Sequence, residues 1–196
     1  MGSFERKVIH KMRDKRQKVP NKIDTRPVTQ MEKDYAVKLG IALPQEATIS
    51  DARALIDREL DNDEKASEGL LNYARSKGML CSDYIGNKAL HTQIFDNLEL
   101  EDKASFFCFC LYKFHIDDAN EDLSTHPKKE FFEAFGEKFA KDVYFKASLE
   151  DYIGEELIAF GKSKRMVKGV EKTIYGSSIY TRAYKEAYKY IQDNIY

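Results

Sequence analysis

Three cysteines and four histidines supply the thiol and imidazole groups of this chain. Cys108 and Cys110 stand one residue apart, and His115 with His126 or Cys81 would complete four zinc donors. Zinc sites usually separate paired cysteines by two to four residues and repeat that pair elsewhere. On a helix, residues two apart point about 200° away from each other. We therefore interpret the cysteines as reduced, buried apolar positions and predict no structural metal.

A second possible metal site follows the cysteines. Asp118, Asn120 and Asp122 match the first three ligand positions of a calcium-binding EF-hand loop. The sixth position, which requires glycine, is Leu123, and the twelfth, which requires glutamate, is Lys129. The segment is therefore interpreted as an acidic surface loop.

Carboxylates crowd residues 117–122 and 150–156, where Asp151 and Glu155 would share a helix face. Such pairs can hold Mg²⁺ against phosphates, which leaves a magnesium-dependent nuclease as a third functional interpretation. The chain contains no serine-hydrolase elbow, zincin motif, Walker lysine or dinucleotide-binding glycines, and no nucleophile neighbours a histidine in the sequence. The sequence therefore predicts a protein that is not an enzyme and needs no cofactor.

Basic side chains alternate with aromatic ones near the C-terminus. A glycine-bounded basic loop, residues 161–169, is followed by a helix with Tyr180, Tyr184 and Tyr188 four residues apart. Cations attract phosphates and aromatic rings can stack on unpaired bases, so this region is a candidate nucleic-acid interface. The alternative is that the tyrosines pack the helix onto the core with their hydroxyls in solvent. The loop contributes Lys162, Lys164, Arg165 and Lys168 to the candidate interface.

The net charge of −1 conceals a strong partition along the chain. Residues 1–30 carry +6, residues 31–160 carry −12 and residues 161–196 carry +5. A basic terminus favours nucleic acid as a partner, whereas an acidic body repels it; a solvated basic tail on an ordinary acidic domain is the simpler alternative. The candidate nucleic-acid contacts in the N-terminal arm are Lys7, Lys11, Arg13, Lys15, Arg16 and Lys18.

These groups must be positioned by helices. Apolar residues recur with the helical period, glycine and proline are few, and no hairpin signal is evident. We predict an all-α protein, a compact multi-helix domain of about eight helical segments with a basic N-terminal arm. Its predicted divisions are an arm and linker at 1–27, a small helical hairpin module at 28–62 and a main helical domain at 63–196. The apolar run within residues 105–115 is predicted to form the central buried helix.

Capping residues locate the ends of several predicted helices. Thr29 and Glu32 have the spacing of a capping box, and Gly40 would end that helix, whose inward stripe would include Met31 and Tyr35. Either Thr48 or Ser50 would cap the second helix. Further helices are predicted to begin at Ser148, ending at Gly161, and at Ser177 or Ser178.

Two stretches resemble proteins of phages and integrative mobile elements. Both stretches are short, and their matching residues are Thr29-Gln30, Leu39-Gly40-Ile41, Pro44, Ala47-Thr48, Ala52 and Leu55-Ile56, then Tyr175-Gly176, Ala183-Tyr184-Lys185, Ala187 and Tyr190. The first resembles a recurrent helical module, and the second resembles the end of accessory proteins from such elements. The resemblance implies a mobile-element accessory protein, a class that includes anti-CRISPR inhibitors, and it assigns no residue a role.

Two main functional interpretations follow. In the first, the protein binds a nucleic-acid-guided defence nuclease, or its nucleoprotein complex, and inhibits it without catalysis. Its acids would then imitate phosphates against the basic channels of the nuclease, and the candidate acids are Asp117, Asp118, Glu121 and Asp122. In the second, it is a DNA-binding accessory factor in element transfer or regulation that contacts a DNA or RNA backbone irrespective of sequence. No hydrophobic leader or membrane span is evident, so a cytoplasmic location without membrane contact is expected.

Overall fold

The computed structural model of the chain describes residues 23–167, 170–175 and 177–195. As predicted, the fold is all-α, and the only strands of the described part form one two-stranded sheet. The α-helices are α1 Gln30–Lys38, α2 Ile49–Leu60, α3 Glu68–Ser76, α4 Asn87–Asn97, α5 Leu100–Ile116, α6 Lys129–Phe139, α7 Val143–Glu150, α8 Glu156–Ala159 and α9 Arg182–Ile195. The strands are β1 Lys162–Val167 and β2 Val170–Tyr175, and Ser177–Tyr180 forms a 3₁₀ turn.

The helices α1 to α4 form two copies of one helix–loop–helix unit, which the sequence did not reveal. In each unit a hydroxyl side chain caps the first helix, and a glycine with positive φ follows its end. An isolated antiparallel bridge then joins the entry of the unit to the start of its second helix. Matching positions lie 38 residues apart, and the pairs are Thr29 and Ser67, Gly40 and Gly78, and the bridges Pro27–Thr48 and Lys65–Gly86.

The two units differ in what they contact. In the second unit Leu70, Leu71 and Tyr73 are buried, and the Tyr73 ring stacks on Phe106 of α5 at 5.2 Å. In the first unit the residue that matches Tyr73 is Tyr35, and it is exposed. The second unit therefore belongs to the main core, whereas this face of the first unit contacts solvent.

The predicted inward stripe of α1 is wrong. Met31 is 76% exposed and Tyr35 is 44% exposed, whereas Ala36 and the carboxylate residue Glu32 are buried. Glu32 completes the predicted capping box with Thr29 and also pairs with Arg53 of α2 at 3.2 Å. These polar bonds fix the face of α1 that contacts α2, so the larger apolar side chains point away from it.

Helix α5 is the predicted central helix. Every residue from Ala104 to Tyr112 is buried, because neighbouring helices surround this segment. Helix α6 packs against it with Phe132 and Phe135 fully buried. The two backbones approach closely at Gly136, where a Cβ atom would overlap Ser105 and the carbonyl group of Glu101.

The helix predicted to begin at Ser148 is divided in two. Asp142 accepts hydrogen bonds from the N–H groups of Tyr144 and Phe145, so α7 begins earlier and ends at Glu150. The short α8 follows after Gly154, whose missing side chain allows the chain to cross the backbone of Thr92 on α4. This crossing places the end of α8 against α4 and α5.

The predicted basic loop is a β-hairpin, so that interpretation is corrected. Strands β1 and β2 pair antiparallel from Lys162 opposite Tyr175 to Val167 opposite Val170. Alternating polar and apolar residues with several β-branched ones favour strands here, although the many cations obscure the pattern. The start of α9 is also corrected, because Thr181, rather than Ser177 or Ser178, accepts the cap hydrogen bond from the N–H of Tyr184.

No helix in the described ranges combines the length and apolar character needed to cross a bilayer.

Candidate functional site

The predicted nucleic-acid contacts of the N-terminal arm lie outside the described residues. These contacts are Lys7, Lys11, Arg13, Lys15, Arg16 and Lys18, and Lys168 also falls in an undescribed position. Lys162, Lys164 and Arg165 lie in β1, where the description is of the backbone.

The donors weighed for zinc do not come together. Cys108 and Cys110 are buried in α5, where burial raises the pKa of both thiols far above the ordinary value. His115 is exposed and contacts the hydroxyl of Tyr184 at 2.9 Å, whereas His126 is buried beside Asp118. Within the described ranges no three His, Cys, Asp or Glu side chains are placed to share a metal ion.

The acidic loop after α5 is held by its own backbone. Asp118 accepts a hydrogen bond from the N–H of Asn120 at 2.8 Å, Asn120 from that of Asp122 at 3.0 Å, and Asp122 from that of Ser124 at 2.9 Å. This series of Asx turns accounts for the alternating Asp and Asn residues that imitate a calcium loop. Asp122 is 9% exposed, so this candidate acid is part of the loop's internal support.

The other three candidate acids meet in a pocket of about 370 Å³ at the C-terminal end of α5. We call it the acidic pocket. The first turn of α4, the last turns of α5, the loop after it and α8 form its walls. Its polar lining consists of Asn87, His91, Cys110, Lys113, Asp117, Asp118 and Glu121.

Two ion pairs organise the rim of the acidic pocket. Lys113 Nζ lies 2.7 Å from Glu121 Oε1, and His126 Nε2 lies 3.1 Å from Asp118 Oδ2. Burial acts to raise the pKa of Asp118, but the N–H of Asn120 and the His126 ring lower it overall. Asp117 ends α5 in the left-handed conformation, is exposed, and forms no ion pair with any described residue.

His91 is the most deeply buried of the polar groups in the pocket and was not predicted as a site residue. It is 8% exposed, and burial lowers its pKa from 6.5 to about 4, so the imidazole is neutral at pH 7. Its Nδ1 lies 2.9 Å from the carbonyl oxygen of Asn87. A carbonyl only accepts, so Nδ1 carries the proton and Nε2 keeps a free lone pair.

The pocket's chemistry is that of recognition. Cys110 also lines the pocket, but its raised pKa keeps the thiol protonated and poorly nucleophilic at neutral pH. The carboxylates and the His91 lone pair accept hydrogen bonds, and Lys113 is held by Glu121. The arrangement is therefore suited to a positively charged group that donates several hydrogen bonds.

An aromatic surface lies next to the pocket on the last turn of α5. The rings of Tyr184 and Tyr188 are stacked at 6.0 Å, and His115 lies 4.8 Å from Tyr188. Tyr184 also packs on the buried Phe160, so the predicted packing role is correct for it, whereas Tyr180 is 70% exposed. The partly open pair Tyr184 and Tyr188 can offer a face to a base or another ring.

The basic β-hairpin begins directly beyond the acidic pocket. Ile158 of α8 lines the pocket, and β1 begins at Lys162. We call residues 162–175 the basic ribbon, because they contain five Lys or Arg residues and one Glu. The register places Arg165 opposite Lys172, a like-charge pair that an anion would stabilise. Groups suited to cations and to anions thus occupy consecutive parts of the fold.

Comparisons with protein-family models, curated proteins and solved structures found no match to this chain.

Proposed function

We propose that this protein acts by binding, as a mobile-element accessory protein that engages a nucleic-acid-guided defence nuclease in its nucleoprotein form and inhibits it. The observation that carries the proposal is the succession of the acidic pocket and the basic ribbon at the end of α8. A nucleoprotein offers phosphates and basic side chains close together, and one surface of both signs complements them.

The geometry favours occupancy over chemistry. Cys110 and His91 share the pocket, but the thiol is held protonated. The carboxylates of the loop accept backbone N–H groups or pair with Lys113 and His126. An inhibitor that blocks a channel or a conformational step requires only complementary shape and charge.

The proposal is tested with purified complexes from candidate hosts. Guide–nuclease complexes and the corresponding naked duplexes are titrated with the protein at physiological salt, and target cleavage is measured in parallel. We expect a complex to bind at least tenfold more tightly than its naked duplex and its cleavage to stop. The triple variant Lys162→Ala, Lys164→Ala and Arg165→Ala should weaken that binding, whereas the exposed Lys38→Ala on α1 is the matched control.

The basic ribbon also favours a second candidate, a DNA-binding accessory factor without a nuclease partner. A two-stranded antiparallel ribbon fits the major groove, and its cations would contact phosphates irrespective of sequence. Tight binding to naked duplex, combined with no binding to any host nuclease, would favour this candidate over the inhibitor.

A further inference from the structure

The acidic pocket contains a buried hydrogen-bond acceptor that no described residue satisfies. His91 donates from Nδ1 to the carbonyl oxygen of Asn87, and Nε2 has no hydrogen-bond partner among the described residues. The side chain is 8% exposed and lines the pocket. Most buried polar groups in proteins are paired, so an acceptor left open in a pocket indicates a donor that comes from outside the chain.

The charge around Nε2 indicates what kind of donor this is. Three carboxylates, Asp117, Asp118 and Glu121, line the pocket against one cation, Lys113. Lys113 bonds to Oε1 of Glu121, and Oε2 of Glu121 has no partner among the described residues. A cation is therefore favoured in the pocket, and an anion is disfavoured.

We propose that the acidic pocket binds a guanidinium group, supplied by an arginine side chain of the partner protein. A guanidinium is planar and has five N–H donors, so it can donate to Nε2 of His91 and to the Asp117 and Glu121 carboxylates together. The pocket volume of about 370 Å³ lies in the range of ligand sites. Phe114 and Leu157 provide apolar walls for the methylene stem of the arginine. The assignment rests on the proposed function for the source of the arginine, but the chemistry of the pocket does not.

The first experiment uses the full chain and small probes. N-acetyl-arginine methylamide is titrated into ¹⁵N-labelled protein while the imidazole nitrogen signals of His91 are followed. The uncharged isostere N-acetyl-citrulline methylamide is the control ligand, and the corresponding lysine amide tests charge without the planar shape. We expect the arginine probe to bind with a Kd on the order of 1 mM and to shift Nε2, the lysine probe to bind more weakly, and the citrulline probe at least tenfold more weakly.

Variants then locate the site. Asp117→Asn combined with Glu121→Gln should weaken arginine binding at least tenfold; asparagine tolerates the left-handed conformation at position 117, so the backbone is retained. The exposed Glu130→Gln on α6 is the matched control and should leave binding unchanged. Equal binding of arginine and citrulline, or no shift of His91 at tens of millimolar probe, would overturn the assignment without any variant.

A competition experiment separates the free ligand from the partner side chain. If arginine comes from the partner, excess arginine probe should displace a bound nuclease complex, and the double variant should lose affinity for it at least tenfold. Probe binding without any nuclease binding would retain the pocket and reject the proposed function. Nuclease binding that is insensitive to the probe would reject the pocket's role and retain the function.

Discussion

The neutral state of His91 makes the stability of this protein sensitive to mild acid. Burial lowers the pKa of His91 to about 4 in the folded protein, against 6.5 in an unfolded chain. Between these values the unfolded chain binds a proton that the folded protein excludes, so the free energy of unfolding falls as the pH falls. The contribution is fully present above pH 6.5 and is lost towards pH 4.

The size of the effect follows from the two pKa values. A difference between 6.5 and about 4 corresponds to about 3 kcal/mol when fully expressed, of which about 2.5 kcal/mol is lost between pH 7.5 and pH 4.5. That is a large share of the roughly 5–15 kcal/mol of stability typical of a domain. Carboxyl groups whose pKa is lowered, such as Asp118, contribute mainly below this window.

The measurement is urea unfolding, followed by far-ultraviolet circular dichroism at pH 7.5, 6.0, 5.0 and 4.5. His91→Gln removes the titrating group, so its loss of stability across the series should be about 2.5 kcal/mol smaller than that of the unmodified protein. His115→Gln, at the surface on α5, is the control and should retain the full loss. Equal losses in the unmodified protein and His91→Gln would refute the assignment of a neutral, buried imidazole.

Further changes test other parts of the fold. Thr48→Ala should cost about 1 kcal/mol of unfolding free energy in urea titrations, because Thr48 caps α2 in a box with Asp51. Gly154→Ala should cost about 1–3 kcal/mol, because its Cβ would overlap the backbone of Thr92; Gly78→Ala, with open space but positive φ, tests strain alone. Replacing Lys162, Lys164 and Arg165 by Ala should lower the salt dependence of any nucleic-acid binding by about 0.9 log unit per lost phosphate contact. An unchanged salt slope would exclude the ribbon from the interface.

Helix ends were predictable where the signal is local. The capping boxes at Thr29 and Thr48 consist of bonds between residues three apart, so the sequence contains the whole interaction. The central helix was predictable because its apolar run has only one place in a water-soluble fold. Helix α7 was not placed correctly, since Asp142 as a cap competes with Ser148 and only packing decides between them.

The acidic pocket could not be derived from the sequence. Its walls come from separate segments around His91, Lys113 and Ile158, and no local spacing links them. The acids were identified, but their division between loop support and pocket lining depends on backbone N–H groups that the sequence does not display. The repeat was detectable in principle, from a capping hydroxyl followed eleven residues later by glycine at Thr29 and at Ser67.

The duplicated helix–loop–helix unit also has a consequence for the order in which the chain can fold. Its contacts are short in sequence: the Asp24 N–H and Ser50 Oγ that close the first unit are 26 residues apart, whereas His115 and Tyr184, which join α5 to α9, are 69 apart. Closing a longer loop costs more entropy, and low contact order speeds folding. Both units can therefore form while the ribosome is still making the rest of the chain. The acidic pocket, which needs α8 against α4 and α5, is completed only after α8 has been synthesised, so ligand binding reports the late stage of folding.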